Sequence, residues 1–183
     1  MEPIKSNDPR LSEICPEFNF ELGVTLDDGT VLQAKELYEL LRDTMIKHKA
    51  VGLAAPQLGI MTRVFVIGNP GDPDSVVGVF NPIIVDYDEE KVTYEEGCVS
   101  YPGMFLKVKR AKQIRVRYRG WDGELGTTPY TGYTARVFQH EYDHLNGITF
   151  LQRANRYHIE QARNFKAKAD RRIKQRELSA LHN

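Results

Sequence analysis

Apolar positions along this chain change their period several times, and each change predicts an element. Over residues 33–49, Leu37, Leu40, Leu41 and Ile46 recur at helical spacing, with Tyr38 and Met45 beside them and neither Gly nor Pro interrupting. Residues 63–67 (Arg-Val-Phe-Val-Ile) form a short β-rich run closed by Gly68, and Asn69-Pro-Gly-Asp-Pro-Asp74 can only be a loop. Residues 76–80 and 83–85 read as strand on either side of Asn81-Pro82, and residues 91–94 follow as another strand-like run. Residues 113–119 alternate strictly, Ile114, Val116 and Tyr118 against Arg115, Arg117 and Arg119. That is the pattern of a half-buried antiparallel strand, and Asp122-Gly123 then signals a turn. Helical spacing returns from about Thr131 to Leu145 and stops at Asn146-Gly147, where a helix C-terminus favours glycine. Strands bunched between helices, without βαβ alternation, predict an α+β fold.

A final periodic stretch changes the electrostatic picture. Ile159, Ala162, Phe165, Ala169 and Ile173 step by three and four, giving a narrow apolar stripe on a helix with a basic outer face. The chain as a whole has 25 basic and 25 acidic residues. From Gln152 onward, however, nine basic residues face three acids, so the tail carries +6 and residues 1–151 carry −6. Two readings stand: a solvated terminal helix docked by one stripe, or a basic surface element that meets RNA or a ribonucleoprotein. A chain of 183 residues is the length of one domain, so residues 152–183 are expected to extend the domain formed by 1–151. No apolar run approaches the roughly 20 residues of a membrane span. Residues 1–20 carry Glu2, Asp8, Glu13 and Glu17 and no apolar core, which argues against a secretory signal. Two cysteines, Cys15 and Cys98, make no disulfide framework, so a cytoplasmic location is expected.

The chemistry concentrates in His140-Glu-Tyr-Asp-His144. Residues four apart on a helix lie one turn apart on the same face, so both imidazoles can reach one metal while Glu141, about 100° round, can face water. A catalytic metal usually takes three protein ligands. Gly147 fits the start of a metzincin pattern, but its third histidine would have to be Phe150, and that reading fails. Glu160 could complete a different zincin-type site, yet it lies in the basic tail. Cys98, within Glu96-Gly97-Cys98-Val99-Ser100, is the better third ligand, because Gly97 lets the backbone come close. Cys15 reads as a small buried hydrophobe. A third segment, Val51-Gly-Leu-Ala-Ala-Pro-Gln57, is a tight connection that offers the Gln57 amide.

Taken together, Ala50-Val-Gly-Leu-Ala-Ala-Pro-Gln57, Glu96-Gly-Cys-Val-Ser100 and Gln139-His-Glu-Tyr-Asp-His144 resemble the three motifs of peptide deformylases, in the same order and spacing. The resemblance runs from about Asp8-Pro9-Arg10 to Phe150, with Ala50 replacing a usual glycine and Val99 a usual leucine. It implies small antiparallel or mixed sheets packed around a central metal-binding helix, with a C-terminal helix, and hydrolytic removal of the N-formyl group from the initiator methionine of nascent polypeptides. Cys98, His140 and His144 would hold one divalent metal, Fe(II) in the cell, with zinc, nickel or cobalt compatible. Glu141 would be general base and then general acid, and the Gln57 amide and Val99 N–H would stabilise the developing oxyanion. Gly52, Tyr133 and Val137 would line the methionine pocket, Glu96 and Arg110 would form a supporting ion pair, and Asp143 would stand behind the ligands. The C-terminal helix would dock on the ribosome, with Arg163, Lys166, Lys174 and Arg176 toward RNA; no membrane and no specific DNA enter. Rival classes are a zincin peptidase and a non-catalytic ribosome-associated module, which would not depend on Glu141.

Overall fold

The computed structural model describes the backbone of residues 1–180, and their side chains apart from those of 174 and 176–180. A two-residue hairpin pairs β1 (Val24–Thr25) with β2 (Val31–Leu32). α1 (Ala34–Lys47) follows, its N-terminus closed by a capping box in which the Gln33 N–H donates to Glu36. Leu37, Leu41 and Met45 bury the inner face of α1 completely. A five-stranded antiparallel sheet then runs in the order β3 (Gly52–Ala54), β4 (Val64–Ile67), β5 (Val77–Tyr87), β8 (Gln113–Arg119) and β9 (Leu125–Thr131). Outside it, β6 (Lys91–Gly97) and β7 (Phe105–Ala111) form their own hairpin. α2 (Gly132–Leu145), a short α3 (Phe150–Arg153) and the long α4 (Arg156–Ala180) complete the chain. This is an α+β architecture with α2 at its centre, and every pairing among the described strands is antiparallel.

Two apolar cores sandwich the sheet. Leu37, Leu41, Met45, Leu53, Val64, Val66 and Phe80 form the α1 side. Phe65, Val79, Ile114, Val116 and Phe138 form the α2 side, where Phe65 and Phe138 meet edge-on at 4.9 Å. Both sides are apolar along β4, so all four of its residues are buried. α2 ends where its sequence expects: Asn146 caps it, and Gly147 takes φ +66, with Ser12 O only 2.6 Å from where a Cβ would sit.

Several elements differ from the sequence reading. The two runs flanking Asn81-Pro82 are one strand, β5, because Asn81 adopts φ +49 and the register to β8 shifts between Phe80 and Ile83. That bulge absorbs the proline, and the Asn81 side chain holds the kink by bonding both the N–H and the carbonyl of Phe18, at 2.8 and 2.9 Å. The run at 91–94 continues to Gly97 as β6. β7 and β9 were not anticipated, since β7 alternates lysines with apolar residues and β9 is mostly polar with an internal Pro129. The stripe on α4 docks only at its start: Ile159 and Ala162 pack on Met104, Leu106, Val108 and Phe150, whereas Phe165 and Ile173 are 73% and 54% exposed. The Lys174 and Arg176 side chains lie outside the described residues; Arg163 is exposed, and Lys166 pairs with Asp170 at 2.9 Å.

Candidate metal centre and substrate cleft

α2 supplies the heart of the site. His140 and His144 project from one face with ring centroids 5.1 Å apart. Cys98 follows directly on the end of β6, and its Sγ lies 3.4 Å from His144 Nε2. The ligand-capable atoms of Cys98, His140 and His144 all fall within 4.8 Å of one another. In a tetrahedral site with metal–sulfur about 2.3 Å and metal–nitrogen about 2.0–2.1 Å, sulfur and nitrogen edges are about 3.5 Å apart, so these donors fit one small cation. A thiolate with two imidazoles suits first-row transition metals or zinc rather than calcium or magnesium. Phe150, standing where a metzincin histidine would, packs against the His140 ring at 5.8 Å. Glu160 is exposed and pairs with Arg156, away from the centre.

His140 is oriented from behind, whereas His144 Nδ1 has no hydrogen-bond partner among the described residues. His140 Nδ1 donates to Glu96 Oε2 at 3.0 Å, which leaves Nε2 to face Cys98. Glu96 also accepts from Arg110 at 2.6 and 2.9 Å and from Arg136 at 2.6 Å. Arg110 continues to Asp143 at 2.8 Å, and Arg153 closes on Asp143 at 2.7 and 3.1 Å. Burial alone would raise the Glu96 carboxyl, but the hydrogen bonds from His140 and Arg110 hold it down to about 2. Burial opposes charge on His140, yet its bonds to Cys98 and Glu96 and the nearby Glu141 push it up to about 10. His144 goes the other way: burial, then His140 and Arg110, hold its imidazole well below the ordinary range. A ligating imidazole must be neutral, so His144 is ready to bind, whereas a cation at His140 Nε2 would have to displace its proton.

Glu141 and Gln57 face the same centre. Glu141 is 5% exposed, and its Oε2 has no hydrogen-bond partner among the described residues. Burial pushes its carboxyl up to about 7, against the pull of His140 and Arg110. The carboxyl rests on the backbone of β3, where a Cβ on Gly52 would sit 2.5 Å from Oε1 and 2.9 Å from Cδ. Gly52 therefore does more than line the cleft. Gly52→Ala is expected to displace the carboxylate and lower kcat by about 10²-fold, since a misplacement near 1 Å can cost that much. Metal analysis beside formate-release kinetics checks it, the metal content staying unchanged. Gln57 lies in a 3₁₀ turn, Ala55–Leu58, and its Oε1 accepts from the Ala54 N–H at 2.8 Å. That bond turns Nε2 inward, 3.3 Å from Cys98 Sγ and 3.4 Å from Ser100 Oγ.

A cleft of about 400 Å³ opens over these groups, lined by Gly52, Val99, Tyr133 and Val137 among others. Val137 is buried and Tyr133 two-thirds exposed at the mouth. The structure thus brings together Cys98, His140, His144, Glu141, Gln57, Val99, Glu96 and Arg110. Sequence reasoning missed Arg136, Ser100 and Arg153. Arg136 had a signal, for it stands one turn before His140 on the same face of α2; Arg153 had none, because only the fold of α3 brings it to Asp143. Gln139, quoted in the helix motif, clamps the β7–β8 bend by bonding the Ala111 N–H at 3.2 Å and carbonyl at 3.0 Å. Cys15 is buried, which pushes its thiol up to about 11 and keeps it inert.

Residues 4–160 match the polypeptide deformylase family. The chain belongs to that family. The peptide deformylase of Thermotoga maritima is 44% identical over 119 residues, covering 65% of this chain and 71% of the relative. The crystal structure of peptide deformylase from Thermotoga maritima superposes with a TM-score of 0.72 at 38% identity, covering 84% of this chain and 97% of that one. The enzyme from Plasmodium falciparum gives 0.80 at 27% identity, covering 95% and 96%. Deformylases are hydrolases that remove the N-formyl group from nascent peptides, and that is the activity of this chain. No helix among the described residues is long and apolar enough to cross a membrane.

Proposed function

We propose that Cys98, His140 and His144 hold one divalent cation, and that Glu141, Gln57 and Val99 carry out deformylation around it. The convergence of one thiol and two imidazoles beside a buried, unpartnered carboxylate supports this reading most directly. When bound, such a cation polarises a carbonyl and lowers the pKa of water to near neutrality. Glu141 takes the proton from the attacking water, and its burial lets the same carboxyl hold that proton and deliver it to the departing amine. The Gln57 Nε2 and the Val99 N–H donate to the formyl oxygen as it becomes negative. Their value is that both are fixed before reaction, Gln57 by its bond to Ala54. Gly52, Tyr133 and Val137 receive the methionine side chain, and Glu96 with Arg110 keeps His140 in its ligating tautomer.

The resemblance implies Fe(II) as the ion in the cell; the donor set also accommodates zinc, nickel or cobalt. Metal analysis of protein purified without air, paired with formate release from formyl-Met peptides, tests the assignment. Cys98→Ser is expected to lose metal on dialysis against a mild chelator, because a hydroxyl replaces a thiolate poorly. Full stoichiometric retention would remove Cys98 from the ligand set. Residues 1–151 are the catalytic body and 152–183 its basic extension, helical as α4 as far as Ala180 with 181–183 outside the described residues, and the protein acts in the cytoplasm where nascent chains emerge. The +6 charge of that extension supports docking on ribosomal RNA, binding that should weaken steeply with salt. Sedimentation with ribosomes at two salt concentrations, with and without residues after Asn155, decides between docking and a plain terminal helix.

A further inference from the structure

A second groove adjoins the cleft. It measures about 710 Å³ and lies between β7 and the exposed side of α4. Glu95, Gly103 and Phe105 line both cavities, so the two are continuous. Phe105 and Phe165, 59% and 73% exposed, face the groove from its two walls. A single exposed aromatic is ordinary, but two that line one groove make a contiguous apolar patch of the kind that marks a binding surface. Lys107 and Lys168 also line it, with Glu95 as its one acid among the described residues.

The substrate is a polypeptide, and an extended chain advances about 3.3 Å per residue. Its later residues must therefore leave the first cleft. The opposite side, around His48 and Lys49, is bordered by the N-terminal segment. There Glu2 lies 3.1 Å from His48 Nε2, and the Ile4 N–H donates to the Gln57 carbonyl at 2.8 Å. The Phe105 side leads instead into the second groove. We propose that this groove binds the residues that follow the formyl-methionine end of the substrate, with Phe105 and Phe165 gripping an apolar side chain and Lys107 and Lys168 favouring an acidic one. The C-terminal helix is then a wall of the peptide-binding surface, and its sequence sets a preference several residues from the scissile bond. This rests on the reacting centre being at Cys98, His140 and Glu141.

The test compares kcat/KM for formyl-Met-Ala with that for formylated octapeptides carrying an apolar residue followed by either Asp or Lys. The intact chain should prefer the Asp octapeptide over the Lys one by roughly two- to fivefold at low salt, the scale of exposed charge pairs, and less at high salt. Lys168→Glu should reverse that preference, and Phe165→Ser should lower the octapeptide to dipeptide ratio by roughly tenfold, through KM. Both side chains are solvent-exposed, so neither change threatens the fold, and circular dichroism verifies it. An octapeptide to dipeptide ratio that neither variant moves overturns the groove. Failure of the intact, metal-loaded chain to release formate from the dipeptide would instead overturn the reacting centre.

Discussion

Glu141→Gln is expected to lower kcat by at least roughly 10²–10⁴-fold, the usual contribution of general acid–base catalysis, while leaving the metal bound. The amide keeps the shape of the carboxylate against Gly52, so the substitution removes proton transfer and little else. Nothing else described near the centre can take over, because Glu96 is engaged by His140, Arg110 and Arg136, and Asp143 by Arg110 and Arg153. Formate release and metal stoichiometry measured on the same preparation check the expectation. Near-normal turnover in the metal-loaded variant would mean that Glu141 is not the base.

The largest effect on stability should come from Arg110→Ala. The guanidinium sits between Glu96 and Asp143 with side-chain exposures of 4%, 5% and 6%. Removing one partner from a buried network strands charge in a medium that cannot solvate it, at a cost of roughly 3–5 kcal/mol. Arg136 and Arg153 remain to serve the two carboxylates, so the lower end of that range is expected, a fall in Tm of roughly 6–12 °C for a chain of this size. Thermal unfolding of the metal-free protein isolates this effect from metal binding. A change below about 1 kcal/mol would show that Arg136 and Arg153 carry the carboxylates alone. His140 should also lose order, since Glu96 fixes its tautomer, and metal affinity should fall by roughly 10–100-fold.

Much of the site could be read along the chain because its chemistry is local. His140, Glu141 and His144 need only one helix, and the spacing of apolar residues together with Asn146-Gly147 placed that helix within a residue of where it lies. Gln57 needs only the turn that Pro56 starts, where its own Oε1 closes on Ala54. By contrast, β7 and β9 escaped notice because the lysines of β7 and the Gly126 and Pro129 of β9 weaken their strand signal. They are strands because neighbours complete their hydrogen bonds. The break read at Asn81-Pro82 failed for the same reason: a proline that would end an isolated strand is tolerated where a bulge lets the ladder resume.

The sequence by itself therefore determined the α+β class and the existence of a basic terminal helix, and it singled out His140, Glu141 and His144 as candidates for metal donors and base. Each depends on residue chemistry at short separations, where chain geometry leaves few alternatives. Tertiary structure alone decided that Cys98 closes on His144 across 46 positions. It also decided that Arg136 and Arg153 complete the network behind His140, and that the carboxyl of Glu141 rests on Gly52. It left Phe165 facing Phe105 instead of buried under the helix. These are contacts between distant segments, fixed by how the sheet and α2 pack, and no local pattern of residues encodes a distance across the core.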